Sequence, residues 1–94
     1  MPVEGRVLVP DHVLFETVGE DVVLLDTREG TFFRLNPTGA RFWELLAEHQ
    51  DLARARDSML NEFDVDSASL DHDLAELVAE LTKRGLIAGA EADV

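Results

Sequence analysis

Cysteine and tyrosine are both missing from this 94-residue chain, aromatic residues make up 6%, and eight Lys and Arg face twenty Asp and Glu. Without cysteine there is no disulfide, no thiolate nucleophile and no zinc–sulfur site; such a chain suits a reducing cytoplasm. No run approaches the roughly 20 apolar residues that cross a bilayer. The start, Met1-Pro2-Val3-Glu4-Gly5-Arg6, lacks the basic head and apolar middle of a secretory signal. A soluble cytoplasmic protein is expected. The shortage of cations leaves a net charge of −12, a field that repels nucleic-acid phosphates and anionic lipid. A cationic peptide or a basic protein surface suits it better than nucleic acid or membrane, although the same acidity also serves solubility.

Catalytic signatures are scarce as well. The glycines, at positions 5, 19, 30, 39, 85 and 89, form neither a phosphate loop nor a dinucleotide fingerprint, and no serine sits in a nucleophile elbow. His12, His49 and His72 are isolated. Asp71-His72-Asp73 is the densest group, but successive helical residues point about 100° apart and do not converge on one ion. It reads as an acidic first turn favoured by the helix dipole. No enzyme, metal or cofactor is expected.

What is present is 46% hydrophobic residues and a clear order of elements. Residues 6–9 and 13–18 are rich in β-branched and aromatic side chains, the second run being the better strand, ending at Gly19-Glu20. Asp21–Asp26 and Thr31–Leu35 bracket Thr27-Arg28-Glu29-Gly30 and predict a β-hairpin. If Asp26 pairs with Thr31, Leu24 faces Phe33 and Val22 faces Leu35 on one side, while Val23, Leu25, Phe32 and Arg34 share the other. Both faces then carry apolar side chains, where a small antiparallel sheet usually has one polar face.

Asn36-Pro37 opens a first helix with Ala40, Phe42, Trp43, Leu45, Leu46 and Ala47 inward. A second starts at Asp51 or its neighbour and is broken by Asp64-Val65-Asp66. Ser67 or Ser69 is expected to cap a third, with Leu70, Leu74, Leu77, Val78 and Leu81 inward, closing at Lys83-Arg84-Gly85-Leu86. The expectation is an α+β, winged helix-turn-helix-like domain, a three-stranded antiparallel sheet followed by three helices. One domain over 1–94 is expected, with an ordered core of about 6–88 and frayed ends at 1–5 and 88–94. The acidic third helix (Asp71, Asp73, Glu76, Glu80) argues against reading DNA. Strand addition remains: the third strand offers a free edge for an extended peptide, and the last helix an opposite wall.

The run Val23-Leu24-Leu25-Asp26 to Gly30, then Phe32-Phe33-Arg34-Leu35-Asn36-Pro37-Thr38-Gly39 and Phe42-Trp43, resembles the PqqD-like family. So do Asp73-Leu74, Leu77, Leu81 and the closing Gly85-Leu86-Ile87. The resemblance covers about residues 7 to 88 and implies a non-catalytic recognition element for ribosomally made, modified peptides. It implies that the leader of a precursor peptide docks as an antiparallel strand on Thr31, Phe32, Phe33, Arg34 and Leu35. Leu74, Leu77, Val78 and Leu81 would form the helical wall, and Asp73, also assigned to the peptide-binding site, stands where the family's last helix commonly has an acidic residue; Leu74 follows it where Val is more usual. The chain is most similar to the free-standing recognition proteins of lasso-peptide pathways. That implies two partners besides the leader: a leader peptidase of transglutaminase-like cysteine-protease type and an asparagine-synthetase-like cyclase. Two alternatives stay open. One is a PqqD-type peptide chaperone of a quinone-cofactor or radical-enzyme pathway; the other is an unrelated acidic winged-helix adaptor or dimerisation module.

Overall fold

A computed structural model describes residues 5–89. The strands are β1 (Val7–Leu8), β2 (Val13–Val18), β3 (Asp21–Asp26), β4 (Thr31–Leu35) and β5 (Ala88–Gly89). The helices α1 (Pro37–His49), α2 (Leu52–Glu62) and α3 (Ser67–Lys83) stand between β4 and β5. The architecture is the expected α+β one: β2, β3 and β4 form an antiparallel sheet in sequence order, and three helices follow.

The hairpin register is the one its side-chain pattern demands. Asp26 opposes Thr31, Leu24 opposes Phe33 and Val22 opposes Leu35. Because side chains alternate faces along a strand, this single register sends Val22, Leu24 and Leu35 into the core, all buried. Helix α1 covers that inner face with Phe42, Trp43, Leu45 and Leu46, and α2 and α3 add Met59, Leu74 and Leu81. The indole N–H of Trp43 is buried without an acceptor, and the Phe15 ring meets the indole edge-on, 5.5 Å between centroids and 78° between planes.

Caps fix where the helices begin and end. Asn36 accepts the Gly39 N–H at 2.9 Å and Pro37 takes the first helical position. Asp51 starts α2 by accepting the Arg54 N–H at 3.1 Å. The start of α3 departs from expectation: Asp66, not Ser67 or Ser69, is the cap, its carboxylate accepting the Ser69 N–H at 3.0 Å. A carboxylate at the positive end of a helix serves the free N–H groups as well as a hydroxyl does and adds a favourable charge. At the other end Gly85 adopts φ +74°; its N–H reaches the Thr82 carbonyl and that of Leu86 reaches Leu81, a Schellman closure.

The ends also correct the sequence reading. Ala88 and Gly89, expected to fray, pair with Leu8 and Val7. Leu86 and Ile87 are buried, and that anchoring returns the chain beside β1, where main-chain groups find partners. Only Val7–Leu8 of the 6–9 run is a strand, and it joins β5 instead of the main sheet. Gly5 accepts the Leu52 N–H at 2.9 Å. Residues 1–4 and 90–94, also expected to fray, lie outside the described residues.

Two bidentate ion pairs tie the helices together. Arg41 on α1 grips Glu62 on α2 through Nε and Nη2 at 2.8 and 2.7 Å, and Arg56 on α2 grips Asp71 on α3. No described helix is long and apolar enough to cross a membrane.

Candidate functional site

The sheet has two outer strands, β2 and β4, and β4 faces α3 across a groove. Which main-chain groups β4 leaves open follows from two bonds in the hairpin. The Thr27 N–H donates to the His12 carbonyl, on the β2 side, and the Gly30 N–H donates to the Asp26 carbonyl, on the β4 side. Main-chain groups alternate sides along an antiparallel strand, so Asp26, Leu24 and Val22 bond toward β4. Their partners Thr31, Phe33 and Leu35 are thereby committed to β3. The N–H and C=O of Phe32 and Arg34 point to the open side.

Beside this edge lies a groove of about 560 Å³ between the end of β4 and the first half of α3. Phe33 and Leu35 form one wall, Leu70, Leu74 and Leu77 the other, and Asp73 and Glu76 stand on its rim. Gly39 closes the floor: a Cβ there would come within 3.4 Å of Leu35 Cδ2 and Asn36 Oδ1, so the start of α1 packs close under β4. A second hollow of about 150 Å³ lies at the other end of β4, bordered by Thr31, Phe32, Phe33, Arg84 and Leu86. Concave surface therefore runs the length of β4.

The ten residues singled out in the sequence do not all meet there. Phe33, Arg34, Leu35, Asp73, Leu74 and Leu77 line the larger groove, and Thr31 and Phe32 border the smaller hollow. Val78 and Leu81 belong to the core, Leu81 with no exposed surface, and neither borders a groove. Leu70, Glu76 and Arg84 line the surface without having been singled out. Leu70 stands one turn before Leu74 on the same stripe, a spacing that could have marked it.

The electrostatics of the surface are mostly acidic. The Arg34 side chain pairs with Asp21 at 2.7 Å, and Glu76 meets His72 at 3.2 Å. Arg84 lies 4.7 Å over the Phe33 ring and is paired with Glu80. On the opposite, outer face of the sheet Leu14 and Phe32 are well exposed, Phe32 at 69%, and with Val23, Leu25 and Glu16 they surround a shallow depression of about 520 Å³. Among the described residues no group of three or more His, Asp or Glu is arranged to hold a metal ion.

An open strand edge beside an apolar groove defines a peptide-docking class of site. The sequence places the chain more narrowly: residues 21–87 match the family model described as coenzyme PQQ synthesis protein D (PqqD), and the chain belongs to that family. Two solved structures share the fold. The complex of TbiB1 with the TbiA(β) leader peptide has a TM-score of 0.80 at 30% identity, covering 90% of this chain and 98% of that one. Lasso peptide synthetase B1 complexed with the leader peptide has a TM-score of 0.77 at 24% identity, covering 89% and 99%. No curated protein sequence matches this one.

Proposed function

We propose that this protein captures the leader segment of a ribosomally synthesised precursor peptide as a strand added to β4, without itself catalysing a reaction. The observation that carries this reading is the open main-chain edge at Phe32 and Arg34, set alongside the groove between β4 and α3. An extended peptide there pairs its main chain with Phe32 and Arg34 and drops alternate side chains toward Leu70, Leu74 and Leu77. Each such side chain contributes about 1.5–3 kcal/mol if fully buried. Both structural neighbours are complexes with leader peptides, which supports a leader as the occupant. The acidic rim favours a leader that carries basic residues.

The pathway we infer is lasso-peptide biosynthesis in the cytoplasm. The bound leader is delivered there to a transglutaminase-like cysteine protease, which removes it, and to an asparagine-synthetase-like cyclase. Holding the leader raises the local concentration of the attached core peptide at those enzymes. The outer face of the sheet, with Leu14 and Phe32 exposed and Leu25 partly buried, lies away from the groove and offers an enzyme a docking surface. The alternative PqqD-type role in a quinone-cofactor or radical-enzyme pathway would use the same groove with a different leader.

Fluorescence-anisotropy titration with the synthetic leader of the precursor encoded beside this protein tests the reading. We expect a Kd of about 1 μM or tighter, near −8 kcal/mol, weakened more than tenfold by Leu77→Asp. A folded wild-type protein that leaves the leader free at hundred-micromolar concentrations would overturn it.

A further inference from the structure

The two hollows along β4 share one lining residue, Phe33. Over its ring, 4.7 Å from the centroid, lies the guanidinium of Arg84, which borders only the smaller hollow. Arg84 is held from three sides. Its main chain caps α3, donating to the Glu80 carbonyl at 3.0 Å, and Gly85 fixes the turn that follows. Its side chain is paired through Nε with Glu80 and rests on the aromatic face. Phe33, with the Arg84 cation over its ring on the side of the smaller hollow, is therefore a built partition between a space of about 560 Å³ and one of about 150 Å³.

We infer that Arg84, seated on Phe33, divides the groove into two subsites and sets the size pattern of the peptide side chains it accepts. This rests on peptide addition to β4. A strand antiparallel to β4, the commoner pairing, runs from the Leu35 end to the Thr31 end. It turns inward the side chains opposite Leu35, Phe33 and Thr31, spaced about 7 Å apart. The first enters the wide space beside Leu70, Leu74 and Leu77 and is large and aliphatic. The second meets the Phe33–Arg84 partition and is small. The third enters the lesser hollow beside Leu86 and is of medium size. The pattern is large, small, medium at alternate positions, with Arg84 as its specificity-determining residue.

Phage-displayed random dodecapeptides, selected in parallel on the wild-type protein, Arg84→Ala and Glu80→Gln, test this. Peptides selected on the wild type are expected to show the alternating pattern. Those selected on Arg84→Ala should admit Leu, Phe or Trp at the middle position. A synthetic peptide with Trp there should bind Arg84→Ala at least tenfold more tightly than wild type. Glu80→Gln, which removes the charge that holds Arg84 and leaves only a weaker neutral hydrogen bond, should shift the preference in the same direction to a smaller extent, so the inference stays testable if Arg84→Ala fails to fold. Identical middle-position preferences in folded variants and wild type would overturn the role of Arg84 while leaving strand addition intact. Wild-type protein that enriches no peptide would overturn both.

Discussion

Placing a proline at Arg34 separates a main-chain docking edge from a side-chain one. The N–H of Arg34 points away from β3, so proline there removes a donor that the protein itself does not use. Proline is tolerated on the outer side of an edge strand, whereas Phe33→Pro would delete a donor committed to β3 and endanger the sheet. In the complex the missing donor leaves a peptide carbonyl covered but unpaired. That costs about 1–3 kcal/mol, or about 5- to 150-fold in Kd. Arg34→Ala is the control. It removes the exposed ion pair with Asp21, worth about 0–1 kcal/mol of stability, and keeps the main chain. Titrating the leader against wild type, Arg34→Ala and Arg34→Pro, with far-UV circular dichroism and melting curves on each, completes the assay. Proline weakening binding within that range while alanine leaves it nearly unchanged is the expected result. Equal binding by all three folded proteins would refute the assignment of the open edge to Phe32 and Arg34.

The buried Asp26 carboxylate accepts the N–H groups of Arg28 and Glu29 at 2.9 and 3.1 Å. Asp26→Ala should therefore cost about 1–3 kcal/mol, read as a loss of melting temperature of several degrees or more. Urea unfolding should show Asp66→Ala costing about 1 kcal/mol and Ser67→Ala much less, because Asp66 is the cap of α3. Hydrogen bonds from Arg41 and Arg56 hold the carboxyls of Glu62 and Asp71 below their ordinary values of 4.5 and 3.8. The unfolded chain then binds protons more readily than the folded one. Stability from these pairs is present above about pH 5 and is lost as pH falls through the lowered values. Melting curves from pH 6 to 3 should fall less steeply for an Arg41→Met, Arg56→Met variant. Stopped-flow mixing should show leader association slowing as salt rises, with dissociation little changed. A rate indifferent to ionic strength would remove the electrostatic contribution and leave strand addition standing.

The hairpin was legible because a strand has a period of two: once Asp26 opposes Thr31, the burial of Val22, Leu24 and Leu35 follows without any knowledge of the helices. The direction in which β4 leaves its polar groups open was not. It depends on which way the Thr27 and Gly30 N–H groups turn, a property of turn geometry that residue types do not encode. The stripe on α3 was legible as a stripe and no further. Leu74, Leu77, Val78 and Leu81 recur at helical spacing, yet a wide apolar face does not say which margin meets the core. The structure puts Leu74, Val78 and Leu81 there, Leu74 also bordering the groove, and leaves Leu77 only partly buried beside β4. Asp66 as the cap was hidden by two serines one and three residues later, all three being good cap formers.

The sheet's second apolar face was legible as an anomaly, and the structure leaves Leu14 and Phe32 exposed on it. Its inner side chains are covered by α1, α2 and α3, so Leu14 and Phe32 on the outer side add nothing to that core. Keeping Phe32 at 69% exposure brings no burial in the isolated chain and risks self-association through an open strand. The same residue supplies main-chain groups to the open edge and borders both the outer depression and the small hollow near Arg84. A peptide strand added to β4 would place its outward side chains next to Phe32 and make the sheet four strands wide. The outer face would then be completed by the ligand itself. An enzyme docking on that widened face would distinguish the loaded protein from the empty one by surface that only the leader provides.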